Sequence, residues 1–65
     1  MNWKDGLANM EYALGHNPSE EQQERFLAFV LRYVPHSYWR IVADSFHHYK
    51  HFSYDLNERC AEDGL

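Results

Sequence analysis

The stretch Asn17-Pro18-Ser19-Glu20-Glu21-Gln22-Gln23-Glu24-Arg25-Phe26-Leu27-Ala28-Phe29-Val30-Leu31-Arg32-Tyr33-Val34-Pro35 decides the fold class. Its opening offers Asn17 as N-cap with Pro18 at the first helical position and Glu20 at the third. It equally offers Ser19 as N-cap with Gln22 at the third position, the pattern of a capping box. Glu20, Glu21 and Glu24 then lie near the positive end of the helix macrodipole. Phe26, Val30, Tyr33 and Val34, joined by Leu27 and Leu31, form a broad apolar face at helical spacing. Pro35 closes the segment, because the residue before a proline is pushed out of the α region. The stretch predicts an amphipathic helix punctuated at both ends.

On the N-terminal side, Trp3, Leu7, Met10 and Leu14 fall at i, i+4, i+7 and i+11. That stripe predicts a helix from about Trp3 to Leu14, with Asn2 as N-cap, Asp5 in the first turn and Gly15 as the stop. Gly6 inside the first turn weakens it by up to ~1 kcal/mol relative to Ala. On the C-terminal side, Ser37 opens a segment whose Tyr38, Ile41, Val42, Ser45, Phe46 and Tyr49 also follow a helical stripe, to about Lys50. Tyr38-Trp39-Arg40-Ile41-Val42 is rich in β-formers, but no Asn-Gly or Asp-Gly turn supplies a hairpin partner. Ser53 is the expected cap of a last helix from Tyr54 to about Glu62, with Leu56 and Cys60 at i, i+4 and Gly64 as terminator. The expected fold is all-α, a compact bundle of three or four short helices in a single domain over residues 1–65.

The chain has 65 residues, so it buries only about 60% of the surface its unfolded form exposes. Cys60 is its only cysteine, which excludes a disulfide within the monomer and suits a reducing compartment. Aromatics make up 17% of the residues, enough for a dense core of large rings. Met1-Asn2-Trp3-Lys4-Asp5-Gly6 lacks the apolar run of a signal peptide, and nothing approaches a membrane span. A cytoplasmic, complete small gene product is the expectation.

The net charge of −4 speaks against general nucleic-acid binding, which needs surplus Lys and Arg. The charge is also segregated. Lys4 and Arg25 stand against Asp5, Glu11, Glu20, Glu21 and Glu24 in residues 1–31. Arg32, Arg40 and Lys50 outnumber Asp44 in residues 32–51, which also hold His36, His47, His48 and His51. Arg59 alone faces Asp55, Glu58, Glu62 and Asp63 in the last fourteen residues.

Two surfaces therefore stand out. Glu20, Glu21 and Glu24 lie within about a turn of the second helix, while Asp55, Glu58, Glu62 and Asp63 follow i, i+3, i+4-type spacing on the last. A row of carboxylates can imitate phosphates and attract the basic groove of a nucleic-acid-binding protein. The plain alternative is a solvated face. The second surface is the aromatic and basic middle, where Trp39, Arg40 and Phe52 are expected to be displayed and Tyr38, Val42, Phe46 and Tyr49 to be core. The same mixture of rings and cations is also suited to stacking on single-stranded nucleic acid.

Catalysis has little support. Glu58-Arg59-Cys60-Ala61-Glu62 surrounds the one thiol with carboxylates, which disfavour the thiolate. Ser37, Ser45 and Ser53 lack a nucleophile-elbow glycine pattern, and no P-loop or dinucleotide-type glycine run occurs. His47 and His51 are one helical turn apart, as are Asp44 and His48, so His47 and His51 are weak candidate metal ligands. The Glu of H-E-x-x-H is missing, and partly exposed histidines on a helix face are the simpler reading. A charge-coupled pH response of this cluster is a further, lesser alternative. No cofactor is expected.

In overall character the chain is similar to small phage-encoded inhibitors of bacterial defence, the anti-CRISPR proteins above all. The features concerned are the short length, Glu20-Glu21-Gln22-Gln23-Glu24, the Glu58 to Asp63 cluster and the surplus of aromatics. Those proteins share no common fold or motif, so no functional residue carries over. The resemblance implies tight, non-enzymatic binding to a CRISPR effector or another nucleic-acid-processing complex, blocking its DNA-contacting groove. A helical adaptor that binds a protein partner through the surface around Trp39 is the other expectation.

Overall fold

In a computed structural model, which describes residues 2–64, the chain forms four α-helices and a short 3-10 turn, with no strand among those residues. Helix α1 spans Trp3–Leu14, α2 Glu20–Tyr33, α3 Trp39–Ser45 and α4 Lys50–Glu62, and the 3-10 turn His36–Tyr38 precedes α3. The all-α bundle expected from the sequence is what forms.

The first two helices begin and end where their local signals place them. Asn2 Oδ1 accepts from Lys4 N at 2.9 Å, and Gly15, at φ 72°, closes α1 in the left-handed region that glycine enters without strain. Of the two caps available to α2, Ser19 is used. Gln22 N donates to Ser19 Oγ at 3.2 Å, and Ser19 N donates to Gln22 Oε1 at 2.8 Å. This reciprocal pair satisfies two donors that the helix itself leaves open.

The second half of the chain departs from expectation. Ser37 is not a cap but lies within the 3-10 turn, and α3 starts at Trp39 with no side-chain cap. The chain then breaks over residues 46–49 and resumes as α4 at Lys50, four residues before the expected start. Ser53, the expected cap, is buried inside α4, where its Oγ donates to Ala43 O at 3.1 Å. An unbroken helix over residues 39–62 would be about 36 Å long, whereas the folded-back chain extends 31 Å at most. Folding back lets the apolar stripes of α3 and α4 bury one another.

The core is built around Phe26. Its ring centroid lies 4.9 Å from Phe46, 4.6 Å from Phe52 and 5.8 Å from Tyr49, in tilted or edge-on arrangements. Such pairs contribute about 0.5–1.5 kcal/mol each beyond area burial. Leu7, Leu27, Val30, Val34, Val42, Ala43, Leu56 and Cys60 are the other buried apolar residues among those described. Val42, Phe46 and Tyr49 are core as expected, whereas Tyr38 is exposed and packs its ring 5.1 Å from Trp3.

Long-range polar contacts show the helix directions. Gln23 Oε1 of α2 accepts from Phe52 N in the first turn of α4, while His36, just after α2, meets Asp63 at the end of α4. The two helices therefore run roughly parallel. Arg40 with Asn57, and Ala43 with Ser53, make α3 antiparallel to α4. On the other flank α1 crosses α2 closely at Gly6, where a Cβ would come within 2.5 Å of Phe29 Cζ.

Candidate functional site

Helix α4 carries different chemistry on adjacent flanks. His51, Asp55, Glu58 and Glu62 follow at i, i+4, i+7 and i+11, one stripe of a 3.6-residue helix. Glu58 and Glu62 are exposed and Asp55 is half-buried. His51 Nε2 lies 3.4 Å from Glu24 Oε1 on α2, within ion-pair range but without hydrogen-bond alignment. Glu24 thereby joins the head of the α4 row, extending it from one helix to the next.

The acidic residues in and around this row are partly paired. Arg59 Nε lies 3.4 Å from Asp55 Oδ1, and Asp63 Oδ2 lies 2.9 Å from His36 Nε2. Glu21 pairs with Arg25 at 3.0 Å, one turn along α2. These are exposed or half-exposed pairs, each of small consequence for stability. Of the seven expected acidic residues, Asp55, Glu58 and Glu62 share one stripe of α4, and Glu24 is linked to the head of that stripe through His51. Glu20 and Glu21 stand at the start of α2 and Asp63 lies beyond the end of α4.

The aromatic and basic middle does not form the displayed surface expected of it. Phe52 is completely buried, because α4 starts early enough to turn position 52 into the core beside Phe26. Trp39 is half-buried; its Nε1 donates to Val34 O at 3.0 Å and its ring lies 4.5 Å from His36. It anchors the corner between α2 and α3. Arg40 is exposed, and its Nη1 donates to Asn57 Oδ1 at 3.0 Å.

Nor do His47 and His51 share a helix. His47 sits in the turn after α3, with Nδ1 3.1 Å from Asp44 O, whereas His51 belongs to α4 and faces Glu24. The same break removes the helical spacing of Asp44 and His48. His48 instead joins Glu11, Tyr12 and His16 around a cleft of about 410 Å³ at the end of α1. No three His, Cys, Asp or Glu side chains are grouped to hold a metal ion among the described residues. The Cys60 thiol is fully buried, so the folded chain does not present it for bridging or nucleophilic attack.

A feature missed from sequence is the cleft beside α4. Lys50, Ser53, Tyr54 and Asn57, with His47 from the preceding turn, line a volume of about 380 Å³. Lys50, Tyr54 and Asn57 recur at i, i+4 and i+7, a spacing that becomes visible once α4 is known to begin at Lys50. No carboxylate lines it.

Nothing among known protein families, curated proteins or solved structures matches the chain. No helix among the described residues is long and apolar enough to cross a membrane.

Proposed function

We propose that the protein is a small non-catalytic binding domain whose acidic α2–α4 side docks on a basic, nucleic-acid-contacting surface of a partner complex. The partner class is the one implied by the resemblance to anti-CRISPR inhibitors, a CRISPR effector or a similar nucleic-acid-processing assembly. The observation that supports the reading is the run of Asp55, Glu58 and Glu62 along one stripe of α4, with Glu24 of α2 brought to its head by His51. Carboxylates held at helical spacing on packed helices approach a basic groove without first being ordered, so their charge acts on association rate and orientation. Binding through them weakens as salt rises, because exposed charges are screened beyond about 8 Å at physiological ionic strength.

Competition between this acidic row and nucleic acid for one groove would inhibit the partner without chemistry. The testing variant is Glu58→Lys with Glu62→Lys, both exposed positions outside the core. Wild type and variant are used to capture partners from nuclease-treated lysate of bacteria that carry CRISPR effectors, at low and high salt. Retention of a nucleic-acid-binding complex by the wild type, lost in the variant and at high salt, is expected. A complex retained equally by both proteins, or indifferent to salt, overturns the reading.

A further inference from the structure

We infer that the cleft between the α3–α4 turn and α4 is a binding site for a small aromatic anion, a planar ring bearing a phosphate or carboxylate. The chain has six Lys and Arg residues, and nearly all have found partners. Lys4 lies over the Trp3 ring and Arg32 over Tyr33, Arg25 pairs with Glu21, Arg59 with Asp55, and Arg40 hydrogen-bonds Asn57. Lys50 has neither an ion pair nor a hydrogen bond from its ammonium among the described residues. It lines the 380 Å³ cleft.

The ring beside it is equally unused. Tyr54, one turn along α4, is 79% exposed and makes no ring contact or hydrogen bond among the described residues. An aromatic face next to a cation, over a concave floor, is the arrangement that takes a stacked ring and its charged substituent together. The floor is held rigid. Arg40 donates to Asn57 Oδ1, Asn57 Nδ2 reaches Ser53 Oγ at 3.4 Å, and Ser53 Oγ donates to Ala43 O. Each link ties α3 to α4 or stiffens α4 itself.

Charge placement orients the ligand. His47 stands at the Lys50 end, while Glu58 follows Tyr54 by one turn. Lys50 and Glu58 are eight residues apart, about 12 Å along the helix, beyond the ~8 Å screening length of physiological salt. The anionic group therefore sits at Lys50 and the ring on Tyr54. This site is separate from the acidic row, whose stripe is rotated by about 100° around α4.

The test is titration of the intact chain with adenosine 5′-monophosphate, followed by amide chemical shifts. Adenosine and inorganic phosphate serve as the ring-only and anion-only probes. Saturable shifts at His47, Lys50, Tyr54 and Asn57, with a Kd near or below about 1 mM, are expected, with each half-probe binding much more weakly. Lys50→Glu abolishes the response, and Tyr54→Ala weakens it about tenfold, the scale of one lost stacking ring. Both side chains are exposed, and a carboxylate at the first position of a helix suits its dipole, so circular dichroism stays unchanged. Shifts that never saturate, shifts centred on Glu11 and His16, or undiminished binding by Lys50→Glu overturn the site. A Glu62→Lys protein, altered in the acidic row at a position that does not line the cleft, retains this binding, so either proposal can fail alone.

Discussion

Gln23 of α2 caps α4 from outside that helix. Its Oε1 accepts from Phe52 N at 2.9 Å, while its Nε2 donates to Pro18 O at 3.2 Å. Helix α4 has no side-chain cap of its own at Tyr49, so one of its open first-turn donors is satisfied by a residue 29 positions earlier in the chain. Gln23 is itself buried, which places both bonds out of competition with water.

Replacing Gln23 with Met keeps the volume and removes both bonds. The Phe52 donor and the Pro18 acceptor then lose their partner, and a buried polar group without one costs about 1–3 kcal/mol. Urea denaturation is expected to show a loss of about 2 kcal/mol, with hydrogen exchange fastest in the first turn of α4. Unchanged stability would show that water replaces Gln23 without cost.

Phe52→Ala tests the corrected placement of that ring. Truncating a fully buried phenylalanine costs about 3–5 kcal/mol, and a domain of this size has roughly 3–10 kcal/mol in all. The variant is expected to be largely unfolded at 37 °C by circular dichroism. A displayed Phe52 would instead leave the thermal midpoint almost unmoved.

Gly6→Ala runs against helix propensity. Alanine in a helix interior gains about 1 kcal/mol over glycine, but here its Cβ would meet the Phe29 ring at 2.5 Å. Phe29 also packs its ring 5.0 Å from Tyr33, which limits how far it can turn away. Overpacking of this kind costs about 1–3 kcal/mol, so a net loss near 1 kcal/mol is expected in thermal or urea unfolding. A more stable variant would show that Phe29 moves freely.

Tyr49 sets an alkaline limit on stability. Burial, and then the Glu11 carboxylate, raise its phenol above the ordinary value of 10.0. The folded state favours the neutral phenol, whose hydroxyl donates to Gly15 O at 2.6 Å. The unfolded chain ionises first, so this contribution is complete below about pH 10 and is lost as pH rises through the higher folded value. Tyr49→Phe is expected to cost about 1 kcal/mol at pH 8 and to flatten the fall in thermal midpoint between pH 9 and 11. An equally steep fall in the variant would assign the alkaline limit to other groups.

The local signals fared unequally along the chain for a physical reason. Asn2, Gly15, Ser19, Gln22 and Pro35 act through contacts a few residues away, so the bounds of α1 and α2 were legible before any packing was known. Residues 46–49 contain neither glycine nor proline, and Val42, Phe46, Tyr49, Ser53, Leu56 and Cys60 keep one apolar stripe through the break. Periodicity therefore reads straight across the turn. The acidic residues of α4 were recognisable from their spacing, but the union of Glu24 with them depends on how α2 meets α4. The Lys50–Tyr54 cleft was hidden because the expected helix began after Lys50.

By itself the sequence determined the all-α class, the first two helices with their caps, and the segregation of charge, since each follows from neighbours along the chain. Only the tertiary structure decided where α3 ends and α4 begins, that Phe52 is core, and that Tyr54 and Lys50 share a cleft. Those outcomes depend on burying the apolar stripes of α3 and α4 against one another, and on a cap that Gln23 lends across 29 residues. Such contacts leave no local pattern, because their spacing is set by the fold.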